Sequence, residues 1–594
     1  SLYGDLKKPD KHFAELVMVL YECYHLRSRN LKATDKKREQ DPNWLLNQQW
    51  VGMSLYTEHF SRNLNGLKKK LDYLQELGIN LVHLMPILES PELESDGGYA
   101  VSDYRKINPA LGEMSDLRNL IREFRKRGMI IALDLVLNHT SDQHKWAKKA
   151  LKGNAKYQNF YHFYPDRIIP DQFEAHMPAI FPETAPGSFT YLPAYHKWVM
   201  TVFHHYQWDL NYSNPEVFIK MVKILLFLAN QGADILRLDA VPYLWKEIGT
   251  SCQNLDQAHT LVKLMKRCAQ VVAPGLKFIA EAIVAPQEVI KYLGQQDQPE
   301  CDIAYHATLM ALIWNSLATT KVGLMYNSIS KLPPKHFGTT WINYGRCHDD
   351  IGLGFYDEDI YQSGYDAKMH RAFLLDYYTG KFPGSPAKGA LFMHNPVTGD
   401  ARISGSLASL AGLEKSTADK NIEQSILSVK RIILVHALIL SYGGLPVIYS
   451  GDEIGLLNDY QYLKSPGKEM DSRWMHRADM DWRSAENRKE SGSIQYRIFS
   501  ALQKLIRLRK STKLWADYNN TSLVYCDNPH LLAFSRFAVE NQPINDHHQI
   551  LILMNFDSNT QLTGQEILLR QGFDMSKGVY DLYSEKPLDY SNGS

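Results

Sequence analysis

Cysteine is scarce in this 594-residue chain: Cys23, Cys252, Cys268, Cys301, Cys347 and Cys526 are its six, and no C-x-x-C pair occurs among them. Such scatter favours reduced, buried thiols over a disulfide framework or a zinc site. A surplus of one charge is also missing. The 66 Lys+Arg and 65 Asp+Glu nearly cancel, which argues against nucleic acid or an anionic membrane as partner. An unbroken apolar run of about 18 residues is absent. The longest candidate, residues 431–444, is interrupted by His436 and Ser441, so no membrane span is expected. Residues 1–10 lack a basic-then-apolar secretory pattern. The first residue is not Met, which leaves a removed leader open; free thiols and neutral charge favour the cytoplasm over a secreted form. No internal repeat or low-complexity tract occurs. Aromatics, by contrast, are plentiful, with 34 Tyr and 11 Trp. They suit a packed core or a surface that stacks on flat, partly apolar ligands such as sugars.

Residues 1–47 read as an N-terminal helical region, with an apolar stretch at 13–23 and a charged run at 27–40 whose charges are expected to face solvent. Beyond it, apolar β-branched runs alternate with helical patterns. Leu64, Leu67, Leu71, Leu74 and Leu77 form a helical stripe closed by Gly78. Strands are expected at 50–56, 79–85, 129–136, 233–241, 277–282, 301–307, 340–344 and 446–449, with helices at 116–127, 217–228, 257–272, 287–293, 426–440 and 495–509. Continuous apolar strands between helices imply a parallel sheet covered on both faces, and eight βα units favour a closed (β/α)8 TIM barrel. The barrel is then built from residues 48–139, 215–350 and 414–514. Segments 140–214 and 351–413 become subdomains inserted after strands 3 and 7, on the face where barrel enzymes carry their sites. Short alternating strands without helices from 515 to 594 imply a C-terminal antiparallel β-sandwich.

Polar residues inside the apolar strands gather at their C-terminal ends. Strand 3 carries Asp134 and runs into Asn138 and His139; strand 4 carries Arg237 and Asp239; strand 5 delivers Glu281; strand 7 leads to His348, Asp349 and Asp350. A single buried charge is most often half of a structural ion pair. Carboxylates converging from several strand ends on one rim are hard to attribute to packing. A carboxylate triad beside guanidinium and imidazole groups, with aromatics near, suits glycoside chemistry, in which one carboxylate attacks or activates and a second carboxyl donates a proton. Arg237 and Asp239 are two apart and share a strand face, so the cation is expected to keep Asp239 ionised. Apolar neighbours in FIAEA (278–282) are expected to raise the pKa of Glu281, as an acid requires.

These segments also carry a resemblance. ALDLVLNH (132–139), ADILRLDAV (233–241), FIAEA and CHDD (347–350) resemble, in order, the four signature regions of the α-amylase superfamily. The chain is further similar to its amylosucrase and sucrose hydrolase group through DPNWLLNQQWVGMSLY (41–56), SDGGYAVSDYRKINPALG (95–112), FHHYQWDLNYSNP (203–215), GGLPVIYSGDEIG (443–455) and NDY…DSRWMHR (458–477). The resemblance implies a retaining mechanism with Asp239 as nucleophile, Glu281 as general acid/base and Asp349 stabilising the transition state. It implies that His139 and His348 bond the sugar, that Arg237 orients Asp239 and that Tyr99 stacks under the ring. Asp96 and Arg488 are similar to the salt bridge that closes the pocket. Arg371 and Arg402 match acceptor-side arginines, whereas Lys197 stands where an acceptor-side arginine is usual; an ammonium lacks the planar fork of a guanidinium. Asn138 resembles a calcium-binding position of many α-amylases, but no further ligands are evident, so neither metal nor cofactor is inferred.

The function these expectations favour is cleavage of sucrose with transfer of glucose to an α-1,4-glucan acceptor or to water, by a monomer or homodimer. A sucrose hydrolase with little polymerising activity shares every catalytic residue, with Lys197 in its favour and Arg371 and Arg402 against. A non-catalytic barrel serving as a binding or transporter-partner module usually loses the acidic triad that this chain keeps.

Overall fold

The computed structural model describes residues 2–4, 9–295, 297–396, 398–538, 549–559, 565–573 and 579–587. Eight strands, β1 (Gly52–Leu55), β2 (Leu81–Leu84), β3 (Ile130–Val136), β4 (Ile235–Asp239), β5 (Lys277–Ala280), β6 (Ile303–Tyr305), β7 (Thr340–Asn343) and β8 (Leu445–Tyr449), close into a barrel in sequence order. All pair in parallel, and β1 meets β8 through Gly52 opposite Val447. Every residue of β1–β4 and β8 is buried, which is why these strands read as largely apolar runs. The expected (β/α)8 barrel is therefore the observed fold.

The helical stripe 64–77 divides into Leu64–Lys68 and Leu71–Leu77, and Gly78 ends the second in the left-handed conformation at φ 99°. Two helices outside the expected set, Ala307–Thr319 and Gly323–Ser330, follow β6. Ala307–Thr319 is apolar and buried on nearly all sides, so it carries no one-sided stripe for periodicity to find. Helix Ile422–Ser441 is long and apolar enough, by composition, to cross a membrane. It runs through both expected interruptions, because His436 meets the Ile432 carbonyl and the Ser441 hydroxyl bonds the Ala437 carbonyl within the helix. Here it is a core helix packed on Ile494–Ser511.

At the N-terminus, α1 (Pro9–Leu26) and α2 (Arg29–Gln40) hold their charges differently from expectation. Arg27 and Asp35 are buried in a two-bond ion pair (2.5 and 2.7 Å), and Arg27 also donates to the Ala229 carbonyl. Arg38 pairs with Asp234, the residue before β4 (2.6 Å). The charged run thus bolts these helices to the barrel rather than only facing water.

Within 140–214, strands Phe163–Tyr164, Lys197–Met200 and Phe189–Leu192 form one antiparallel sheet, and Gln207–Asp209 returns to pair with His139–Ser141 at the barrel rim. Within 351–413, helices Asp357–Gln362 and Ala367–Tyr378 precede a hairpin of Ala390–Phe392 and Arg402–Ser404. Phe181 of the first insertion packs on Phe392 and Met393 of the second, joining them above the barrel. Beyond 515, β9 (Thr521–Val524), β10 (Leu531–Phe537) and β11 (Gln549–Asn555) make an antiparallel sheet. A short pair, Tyr580–Asp581 with Lys586–Pro587, and a helix, Gln565–Arg570, where none was expected, complete the described part of this region. The remainder of the expected sandwich (539–548, 560–564, 574–578 and 588–594) lies outside the described residues.

Candidate active site

The C-terminal ends of β4, β5 and β7 open into a cavity of about 640 Å3 roofed by the two insertions. Its lining brings together ten of the sequence-derived residues: Asp96, Tyr99, His139, Arg237, Asp239, Glu281, His348, Asp349, Arg371 and Arg402. Arg237 organises the centre. It stands opposite Asp134 in the β4–β3 register, and its Nη1 donates to Asp134 Oδ1 (2.6 Å), Asp239 Oδ1 (3.0 Å) and the Tyr99 hydroxyl (3.2 Å). Its Nη2 lies 3.5 Å from Glu281 Oε1. One guanidinium therefore spans both carboxyls of the pair. Asp134 is fixed from its other side by His83 (3.0 Å).

The chain turns sharply after Asp239. Ala240 adopts φ 50° and ψ 38°, left-handed backbone that residues with a side chain rarely enter. That turn aims the Ala240 N–H at Glu281 Oε2 (2.7 Å), so the strand carrying one carboxyl positions the other. Around the centre, the Tyr99 hydroxyl lies 2.8 Å from His348 Nε2, and His139 Nε2 lies 3.2 Å from the Tyr99 carbonyl. Burial lowers the pKa of His139 to about 4 and that of His348 to about 3, so both rings are neutral and able to bond uncharged hydroxyls.

The expectation that Arg237 keeps Asp239 strongly acidic is corrected. Burial, then the Glu281 charge, push the Asp239 carboxyl well above the usual range, with Arg237 opposing. Glu281 is likewise raised, chiefly by burial. Two such neighbouring carboxyls titrate as a pair. Arg237 lies nearer Asp239 (3.0 Å) than Glu281 (3.5 Å), whereas Glu281 also accepts the Ala240 N–H at 2.7 Å. Asp349 behaves oppositely: burial works to raise it, but His348, Arg473 and Arg477 outweigh burial and hold it ionised.

Arg488 and Lys197 lie elsewhere than the sequence leads one to expect. Arg488 is not in the cavity. It pairs with Glu76 (2.8 Å) and Glu486 (3.1 Å) and lies against the rings of Tyr73 and Phe499, fastening a surface turn to helix Leu71–Leu77. Asp96 pairs instead with Arg473 (2.9 Å), which Asp471 grips through both oxygens. Burial opposes ionisation of Asp96, but Arg473 and His204 hold its pKa at about 2. Lys197 also lies outside the cavity lining, since its strand joins the insertion's own sheet and its ammonium donates to Gln158 (3.2 Å).

Arg473 and Arg477 are the residues sequence reasoning missed, although both stand in the quoted DSRWMHR segment. Arg477 donates to the His348 carbonyl (2.8 Å) and lies 3.5 Å from Asp349 Oδ1. Asn138 Oδ1 and Asp209 face a buried ammonium: Lys246 Nζ is 3.1 Å from the first and 2.6 Å from the second, and donates to the Tyr243 carbonyl. A positive charge from the chain itself already sits among these oxygens. Among the described residues, one trio has metal-ligating atoms mutually close: Cys347, His348 and Asp349, within 4.8 Å.

Buried carboxyls of opposed charge preference at the C-terminal rim of a parallel barrel define a glycoside-processing type of site. Residues 46–346, just over half of the chain, match the alpha amylase catalytic domain, and the chain belongs to that family. The trehalose synthase/amylase of Mycolicibacterium smegmatis is 32% identical over 68% of this chain and 62% of its own. The glucosylglycerate phosphorylase of Escherichia coli is 27% identical over 74% of each. The chain spans about three-fifths of the length of the mycobacterial trehalose synthases it matches. Among solved structures, the sucrose 6F-phosphate phosphorylase of Thermoanaerobacter thermosaccharolyticum shares the fold at TM-score 0.66 and 18% identity, over 86% of this chain and 94% of that one.

Proposed function

We propose that this protein is a retaining α-transglucosylase that cleaves sucrose and passes the glucosyl unit to an α-glucan hydroxyl or to water. Asp239 attacks the anomeric carbon while the C1–O bond to fructose breaks and Glu281 protonates the departing oxygen. The β-glucosyl ester on Asp239 is then opened by an acceptor hydroxyl whose proton returns to Glu281, so two inversions give net retention. Asp349 and the neutral His139 and His348 bond the ring hydroxyls.

The observation that carries this reading is the Asp96–Arg473 pair in the lining, where Arg473 also lies 3.3 Å from Asp349. A fixed, two-sided ion pair there is suited to closing the cavity behind a single ring, which would favour a terminal glucosyl unit over the interior of a polymer. Relatives named for trehalose and glucosylglycerate are in keeping with small glucosides. Arg371 and Arg402 in the lining favour transfer to a bound acceptor over hydrolysis alone.

The test is incubation of the purified protein with sucrose, with and without glycogen, and with trehalose in parallel. The expected result is fructose in excess over free glucose, the difference appearing as α-glucan that increases with glycogen. Equimolar glucose and fructose would identify a hydrolase. Absence of fructose release would overturn sucrose as donor.

A further inference from the structure

Cys347 is the one cysteine in the cavity lining, partly exposed while Cys23, Cys252, Cys268 and Cys301 are buried. It precedes His348 and Asp349, and its sulfur accepts the Asp349 N–H at 3.4 Å, which folds the three side chains to one side of the turn after β7. One thiol sulfur, one imidazole nitrogen and one carboxylate oxygen then lie within 4.8 Å of one another. The carboxylate is divided in a useful way. Arg473 and Arg477 both approach Asp349 Oδ1 (3.3 and 3.5 Å), whereas Oδ2 faces His348 Nε2 at 3.3 Å. The oxygen facing the imidazole thus carries none of the guanidinium contacts, and its spacing from that nitrogen matches two neighbouring ligands of a tetrahedral ion, about 3.3 Å apart for bonds near 2.0 Å. Sulfur, imidazole and carboxylate together select a borderline-soft cation over Mg2+ or Ca2+.

We propose that Cys347, His348 and Asp349 bind a thiophilic divalent cation of the Zn2+ type, which on binding blocks the glucosyl pocket. The thiol releases its proton to solvent as the sulfur–metal bond forms, with no change in oxidation state; a fourth position is left to water. His348 and Asp349 are then withdrawn from the sugar, so metal and substrate compete. The competition rests on the proposed function, whereas the metal site itself does not.

The test uses the intact protein with Co2+ and Zn2+ alone as probes. Stoichiometric Co2+ is expected to give a near-ultraviolet thiolate-to-metal charge-transfer band that is displaced by Zn2+, lost in Cys347→Ser and Cys347→Ala, and retained in Cys526→Ser, which removes the other partly exposed thiol. Measured against each protein's own metal-free rate of fructose release, Zn2+ inhibition is expected to be at least tenfold weaker in Cys347→Ser than in the parent. Failure of sucrose cleavage leaves the Co2+ spectrum readable, so the two readings fail separately. Absence of the band in the parent protein, its persistence in Cys347→Ser, or its loss in Cys526→Ser would overturn the proposal.

Discussion

Asp239 and Glu281 are chemically alike and are asked to do opposite things, so their roles depend on what surrounds each oxygen. Arg237 contributes a 3.0 Å bond to Asp239 and a longer 3.5 Å approach to Glu281. Because both carboxyls are raised, the active species with one shared proton persists to higher pH than isolated carboxyls allow. The kcat/KM profile for sucrose is therefore expected to be a bell with both limbs above the ordinary carboxylate range near 4. Activity falls on the alkaline side as the last proton leaves and on the acid side as Asp239 is neutralised. An alkaline limb at ordinary glutamate values would contradict this. Asp239→Asn and Glu281→Gln are each expected to lower sucrose turnover by at least about a thousandfold. Only Glu281→Gln should still form the ester from α-glucosyl fluoride, whose leaving group needs no proton. Fluoride release by Asp239→Asn at the same rate would remove its assignment as nucleophile.

Arg473 supplies a second residue-scale argument. Its planar fork meets Asp471 and Asp96 together, which an ammonium cannot reproduce. Losing charged hydrogen bonds of about 1.5–3 kcal/mol should lower kcat/KM for sucrose roughly ten- to a hundredfold in Arg473→Lys. The same change at Arg488, which was expected in this place from the sequence, should leave kcat/KM within about twofold. Equal effects at both positions would contradict the geometry.

At the scale of elements, the turn Asp452–Ile454 after β8 holds a carboxyl that takes no part in the chemistry. Glu453 is fully buried, bonded by the Tyr73 hydroxyl (2.8 Å) and the Gly451 N–H (2.7 Å), and burial raises its pKa to about 7. A folded-state pKa above the unfolded value means that the folded chain holds the proton more tightly. The stabilisation is complete below about 4.5 and is lost as pH rises through about 7, by up to about 3 kcal/mol. Urea unfolding of Glu453→Gln is expected to show a flatter dependence between pH 5 and pH 8 than the parent. An identical slope would show that Glu453 does not contribute.

Elements were also where sequence reasoning succeeded and failed for separable reasons. The eight barrel strands were legible because nearly all of their residues are buried, so each is largely apolar between a few polar positions. The cavity residues on strand ends followed from strand register alone, as with Arg237 and Asp239. Arg473 was not legible as a partner of Asp96, because the turn that presents it lies 377 residues away and obeys no period. Lys197 misled for a related reason: its strand belongs to the insertion's own sheet, whose orientation over the barrel is a matter of tertiary packing. Ala307–Thr319 is the converse case, too uniformly buried to display a face.

Across the whole molecule, the α2 bolt and the catalytic rim occupy opposite ends of the barrel. Arg38 reaches Asp234 and the Gly275 carbonyl, positions just ahead of β4 and β5, whereas Asp239 and Glu281 come at or just beyond the far ends of the same strands. Stability and chemistry are thereby separable. Arg27 and Asp35 are both buried, so removing one leaves the other charged and without its main partner, a loss of about 3–5 kcal/mol. Replacing both with apolar side chains removes the charge and its desolvation cost together. Arg27→Met and Asp35→Leu are thus each expected to lower the urea midpoint markedly, and the double variant to recover most of the loss. All three, assayed well below their unfolding transitions, should keep the kcat/KM of the parent. Additive losses in the double variant would mean that the pair does not act as a unit. A fall in kcat/KM without a fall in stability would mean that this end of the barrel is coupled to the rim.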